Sequence, residues 1–117
     1  MKTAVIILAD TETHGDMGRL VNALEFAKEL KEANDDVEVI FDGAGSKWVA
    51  ELSKEGHRLA PLFAEVKDRV GGVCDYCARA FGVLEAVKKS GVPLLSEFDQ
   101  HPSLRKRAAA GYQLVTF

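Results

Sequence analysis

The run Val5-Ile6-Ile7-Leu8 has no polar position in it, which is the pattern of a strand buried on both faces rather than one with a wet side. Met17, Leu20, Val21, Leu24 and Ala27 then recur at helical spacing, so the chain starts as a strand followed by an amphipathic helix. The same alternation continues. Residues 37–41 predict a second strand, Asp42-Gly43-Ala44-Gly45 a turn, and residues 47–52 and 59–67 two helices. Residues 69–73 read as a third strand carrying Gly71 and Gly72, where backbone or ligand can approach closely. A helix over residues 76–89, interrupted or bent near Gly82, leads to a fourth strand at 92–96 with Pro93 near its start. Pro102 opens a short helix that Gly111 ends, and residues 112–117 close the chain as a fifth strand.

Strands joined by helical crossovers pair in parallel and need helices on both faces. The expected fold class is therefore α/β, a three-layer sandwich with a mostly parallel five-stranded sheet of the flavodoxin-like or Rossmann-like kind. The pattern leaves the strand order open. A length of 117 residues with 47% hydrophobic content suits a single domain over residues 1–117. The net charge of -3 and a pI near 5.6 argue against nucleic acid or an anionic membrane as partner, since both call for a basic excess. The first apolar run is far shorter than a membrane span, and Asp10 falls where a signal peptide needs more apolar residues, so the expected location is cytoplasmic.

In a parallel sheet the loops that follow the strands emerge at one edge, where ligands bind. Those loops carry residues 10–14, Asp42, Cys74 and Cys77, and Glu97, Asp99 and His101. Cys74 and Cys77 are the chain's only cysteines and stand three apart. In a reducing compartment such a pair points to redox, carrier or metal chemistry rather than to a structural staple. A helix beginning near Cys74 would favour a thiolate there, the form that attacks sulfur or binds metal. Arg69 and Arg79 would lower a cysteine pKa and Asp75 would raise it. Cys74 and Cys77 are the candidate catalytic residues, with His101, Arg79 or Asp10 as neighbours.

The rival readings use the same pair. A tetrahedral metal needs two more ligands, which His57, His101 or an acidic residue would supply. The chain has no second CxxC or paired-histidine motif, so no metal set is assigned within it, and the rival is a site shared between subunits. A dithiol oxidoreductase is the other alternative. The loop 10–16 superficially resembles a flavodoxin phosphate loop, but Glu12 and Asp16 would face the phosphate with negative charge. It is read as a helix cap at Thr13 or Asp16. With no GxGxxG motif or P-loop lysine either, no cofactor is expected. Arg105, Lys106 and Arg107 read as a solvated helix face, with attraction of an acidic partner or substrate as the alternative, and Trp48, Phe63, Phe81 and Phe98 as core or interface anchors. Self-association through Trp48, Phe81 or the C-terminal strand follows from the limited surface available to bury the helices.

The N-terminal buried strand, the stretch Gly72-Val73-Cys74-Asp75-Tyr76-Cys77-Ala78-Arg79-Ala80-Phe81-Gly82-Val83 and the closing Gly91-Val92-Pro93 strand resemble the DsrE/DsrF-like family over nearly the whole chain. The resemblance implies a small α/β protein that assembles as a homo-oligomer, trimer or hexamer, or in mixed complexes with sulfur-donor and sulfur-acceptor proteins. It also implies a cysteine that receives sulfane sulfur as a persulfide and passes it on. Both Cys74 and Cys77 match cysteine positions used in different members, so the carrier stays open between them. A second thiol adjacent to a persulfide can attack it, releasing sulfide and leaving a disulfide.

Overall fold

The computed structural model describes residues 1–117. Five strands form one sheet: β1 (Lys2–Ile7), β2 (Asp36–Phe41), β3 (Val70–Cys74), β4 (Leu94–Leu95) and β5 (Gln113–Thr116). Their order is β4-β3-β2-β1-β5 and every pairing is parallel. The helices are α1 (His14–Glu32), α2 (Trp48–Leu52), α3 (Ala60–Val66), α4 (Asp75–Ala80), α5 (Leu84–Ser90) and α6 (Leu104–Ala109), with short 3-10 turns at Gly43–Lys47 and Lys67–Arg69. The α/β class and the parallel five-stranded sheet expected from the sequence are both present.

The order follows from handedness. The chain steps β1 to β4 in one direction, and right-handed crossovers place α1 through α5 on one face; the return to β5 puts α6 on the other. Side-chain direction agrees. Val37, Val39 and Phe41 of β2 join Leu20, Leu24 and Leu30 of α1 in the main core, whereas Glu38 between them meets Arg107 of α6. α1 follows its pattern closely, with Leu20, Ala23, Leu24, Ala27 and Leu30 buried. Each fully buried leucine of this kind contributes roughly 1.5–3 kcal/mol relative to exposure. Thr13 caps the helix, its hydroxyl accepting the Asp16 amide at 3.1 Å, so the first loop is a helix cap as its charges implied.

The interruption expected near Gly82 is present: Gly82 adopts φ of 72°, a left-handed conformation that separates α4 from α5. Other elements differ from the sequence reading. The fourth strand is only two residues, since Val92 and Pro93 approach β3 outside the regular ladder, with Val73 donating to the Pro93 carbonyl at 2.9 Å. Pro102 lies ahead of α6, which Ser103 caps by accepting the Lys106 amide. Trp48 is 1% exposed and donates from Nε1 to the Ala9 carbonyl at 2.9 Å. It is a core residue and no surface anchor, as is Phe63, whereas Phe81 and Phe98 are exposed.

The basic run 105–107 is also more than a solvated face. Arg107 is buried and grips Glu38 with two guanidinium nitrogens at 2.7 and 3.0 Å while donating to Glu97. No helix is long and apolar enough to cross a membrane.

Candidate functional site

The C-terminal ends of β2 and β3 lie side by side in the sheet, with Phe41 opposite Val73. The next residue of each strand path brings in one polar side chain: Asp42 after β2 and Cys74 at the end of β3. Asp42 caps the 3-10 turn, its Oδ1 accepting the Gly43 amide at 2.8 Å. Cys74 caps α4, and its Sγ accepts the Cys77 amide at 3.4 Å. That capping geometry turns Cys77 on the first turn of α4 back toward Cys74, and the Cys77 Sγ reaches Asp42 Oδ1 at 3.7 Å.

His101 arrives from the loop after β4. Asp99 and Gln100 hold positive φ values of 48° and 68°, which folds residues 97–101 into a tight hairpin. Glu97 and Phe98 both donate backbone bonds to the His101 carbonyl, and His101 donates back to Phe98. Tyr76 ties the hairpin to α4 by donating its amide to the Gln100 carbonyl at 2.9 Å, and its ring packs against the imidazole with centroids 4.8 Å apart. The result sets His101 Nδ1 3.3 Å from Cys74 Sγ. Ligand atoms of Asp42, Cys74, Cys77 and His101 all lie within 4.8 Å of one another.

The two thiols have different surroundings. Cys74 is 0% exposed and Cys77 9%, and both are free. Burial pushes the Cys74 thiol up to about 12; the Cys77 amide bond pulls the other way, and the Asp42 carboxylate adds to the rise. Arg69, Arg79 and Asp75 are not among its leading influences. Arg79 pairs with Asp75 at 3.2 Å, and Arg69 turns to Asp68 and the Asp35 carbonyl.

Of the neighbours anticipated from sequence, His101 is in place, while Asp10 is held by Lys47 at 2.5 Å and Arg79 by Asp75. His57 is not in the group of ligand atoms around the cysteines; it lies edge-on to Trp48 with its Nδ1 accepting the Leu59 amide. Asp42, which the sequence placed among the loops at the sheet's ligand-binding edge, was not among the neighbours expected of the cysteines. Its signal was its place as the first residue after β2, informative only once β2 and β3 are known to be adjacent. The group can support three chemistries: persulfide on a thiol, a disulfide between the pair, or coordination of a soft cation.

A family model described as the DsrE/DsrF-like family matches residues 4–117. The chain is 34% identical over 116 residues to the uncharacterized protein MJ0733 of Methanocaldococcus jannaschii, covering 98% of this chain and 94% of that protein. It is similar in fold to the structure of a conserved protein of unknown function, BT1422 from Bacteroides thetaiotaomicron. There the TM-score is 0.65 at 17% identity, with 97% of this chain and 94% of the other covered. With the family model running from the first strand through the last and both cysteines inside it, the chain belongs to the DsrE/DsrF-like family.

Proposed function

We propose that this protein carries sulfane sulfur as a persulfide on Cys77, with Cys74 as a guarded second thiol. The observation that carries this reading is the difference in exposure between the two cysteine residues, 9% for Cys77 against 0% for Cys74. A donor persulfide must reach the attacking sulfur, and of the pair only Cys77 offers a surface. Membership of a sulfur-relay-type family supports the class of chemistry.

The Cys77 thiol gives up its proton, for which Asp42 Oδ1 is an acceptor at 3.7 Å. The thiolate attacks the outer sulfur of a donor persulfide, the donor S–S bond breaks, and the donor leaves as its thiolate. Delivery is the reverse event: an acceptor thiolate takes the outer sulfur and Cys77 departs as thiolate. Each transfer conserves electrons and needs no external oxidant. Cys74 is kept from intercepting the persulfide because burial holds it as a thiol, and a thiol is a poor nucleophile. The site thereby favours a carrier over a dithiol oxidoreductase.

Donor and acceptor are proposed to be persulfide-bearing and thiol-bearing partners, and a second copy of this chain is the proposed assembly partner. The exposed Leu114 on edge strand β5 and the exposed Leu8 just beyond β1 support self-assembly.

Intact-protein mass measurement after incubation with thiosulfate or polysulfide tests the assignment. Wild type and Cys74→Ser should gain about 32 Da per sulfur atom and Cys77→Ser should not. Loading that survives Cys77→Ser but not Cys74→Ser would move the carrier to Cys74, and a loss of about 2 Da in place of a gain would replace the carrier reading with disulfide chemistry.

A further inference from the structure

We propose that Asp42, Cys74, Cys77 and His101 form a metal site within one chain, for a tetrahedral thiolate-binding divalent ion of the zinc class. The geometry comes first. Zinc with sulfur at about 2.3 Å and nitrogen or oxygen at about 2.0–2.1 Å has ligand-to-ligand edges of about 3.3–3.8 Å. Here Cys74 Sγ is 3.3 Å from His101 Nδ1 and Cys77 Sγ is 3.7 Å from Asp42 Oδ1, two opposite edges already at length. No pair among the four ligand atoms is more than 4.8 Å apart, so closure on an ion shortens the longest edge by about 1 Å, within reach of small side-chain rotations.

The donor set selects the ion. Two sulfurs, one imidazole nitrogen and one carboxylate oxygen suit zinc, whereas magnesium and calcium require mostly oxygen ligands. Binding displaces the two thiol protons, leaving two thiolates and one carboxylate, a charge of -3, against the ion's +2.

The supports around the ligands are also in place. The Gly43 amide donates to Asp42 Oδ1, the Cys77 amide to Cys74 Sγ, and the hairpin bonds of residues 97–101 hold the imidazole with Nδ1 toward the sulfurs. Such outer contacts orient ligands and tune their affinity. The four ligands come from separate segments (the end of β2, the end of β3, the first turn of α4 and the loop after β4), which explains why the cysteine spacing alone showed only half a site. The inference stands on this geometry and not on sulfur transfer. The two uses are mutually exclusive, because both consume the Cys77 thiolate.

The test uses the full chain, reduced and stripped with a chelator, then titrated separately with Zn²⁺ and Co²⁺ and followed by native mass spectrometry and visible absorption. The expected result is one ion per chain and a tetrahedral cobalt spectrum with sulfur-to-cobalt charge transfer. Asp42→Asn or His101→Gln should weaken binding about 10–100-fold, and loss of either cysteine more. Should Cys74→Ser fail to fold, Asp42→Asn and His101→Gln carry the test without it. The proposal is overturned by failure to retain an ion, by one ion per two chains, by a six-coordinate cobalt spectrum, or by unchanged affinity in both Asp42→Asn and His101→Gln. Sulfur loading measured in chelator keeps the two ideas apart: loading without tetrahedral metal uptake sinks only the metal site, and uptake without loading sinks only the sulfur reading.

Discussion

Arg107 and Glu38, 69 positions apart in the chain, meet in a two-armed ion pair at 2.7 and 3.0 Å beneath α6, on the sheet face opposite the main core. Gly71 on the neighbouring strand leaves room for this carboxylate; a Cβ there would collide with the Glu38 side chain. Removing one member of a buried pair leaves the other charge without a partner. Arg107→Ala should therefore cost about 3 kcal/mol in urea denaturation, and Arg107→Ala combined with Glu38→Gln distinctly less than the two single losses added together. Additive losses would show that the pair is not coupled.

Stability should also fall in acid through Glu97. Burial alone would raise its carboxyl, but bonds from Arg107, the Ser103 amide and Lys106 outweigh that and hold it at about 2, against an ordinary 4.5. A depressed carboxyl contributes stability that is present in full above about pH 4.5 and is lost as the pH falls through about 2. Denaturation midpoints for wild type should drop between pH 5 and about pH 3, and Glu97→Gln should flatten that part of the curve. An equal drop in both proteins would assign the effect to other groups.

The two cysteines should alkylate at different rates. At pH 8 iodoacetamide should modify Cys77 at least about tenfold faster than Cys74, which is closed to solvent and held as a thiol. Raising the pH to 10 should leave Cys74 the slower of the two, since its thiol ionises only near 12. Peptide mapping over time reads both rates, and equal labelling would contradict the access difference on which the sulfur-carrier reading rests.

The hairpin that presents His101 has a backbone signature that mutation can probe. Gln100 sits at φ 68°, where a non-glycine residue costs roughly 1–2 kcal/mol. Gln100→Gly should be neutral or slightly stabilising, whereas Gln100→Val should cost at least about 1 kcal/mol, because β-branching is poorly tolerated there. In the valine variant the His101 imidazole resonances should shift in an NMR spectrum, and unchanged shifts would mean that the hairpin does not set the ring's position.

The alternation of apolar runs with helical spacing was sufficient to read the class, the five strands and the break at Gly82, because these are local properties of consecutive residues. Cys74, Cys77 and His101 were legible for a similar reason: each falls just beyond a run that reads as a strand. Asp42 reaches the same edge by the same rule, but its place beside the cysteines was not legible, since nothing local distinguishes an aspartate in a turn from one facing two sulfurs across adjacent strands. Arg107 was misread on the same ground. Its helix is polar along the sequence, and only the partnership with Glu38 across the sheet shows why a guanidinium is buried. Trp48 stood open between core and interface until the Ala9 carbonyl supplied its indole with an acceptor inside.

The placement of β5 beside β1 has a kinetic consequence. That pairing joins Thr3 to Gln113, the most distant contact in the sheet, and closures of such length come at high entropic cost and form late. Asp42, Cys74, Cys77 and His101 all belong to segments between β2 and α6, where each strand docks against its predecessor. As the chain emerges during synthesis, the pocket can assemble while the opposite edge of the sheet is still open, so lesions in β5 should lower the yield of folded protein while sparing the chemistry of the molecules that do fold.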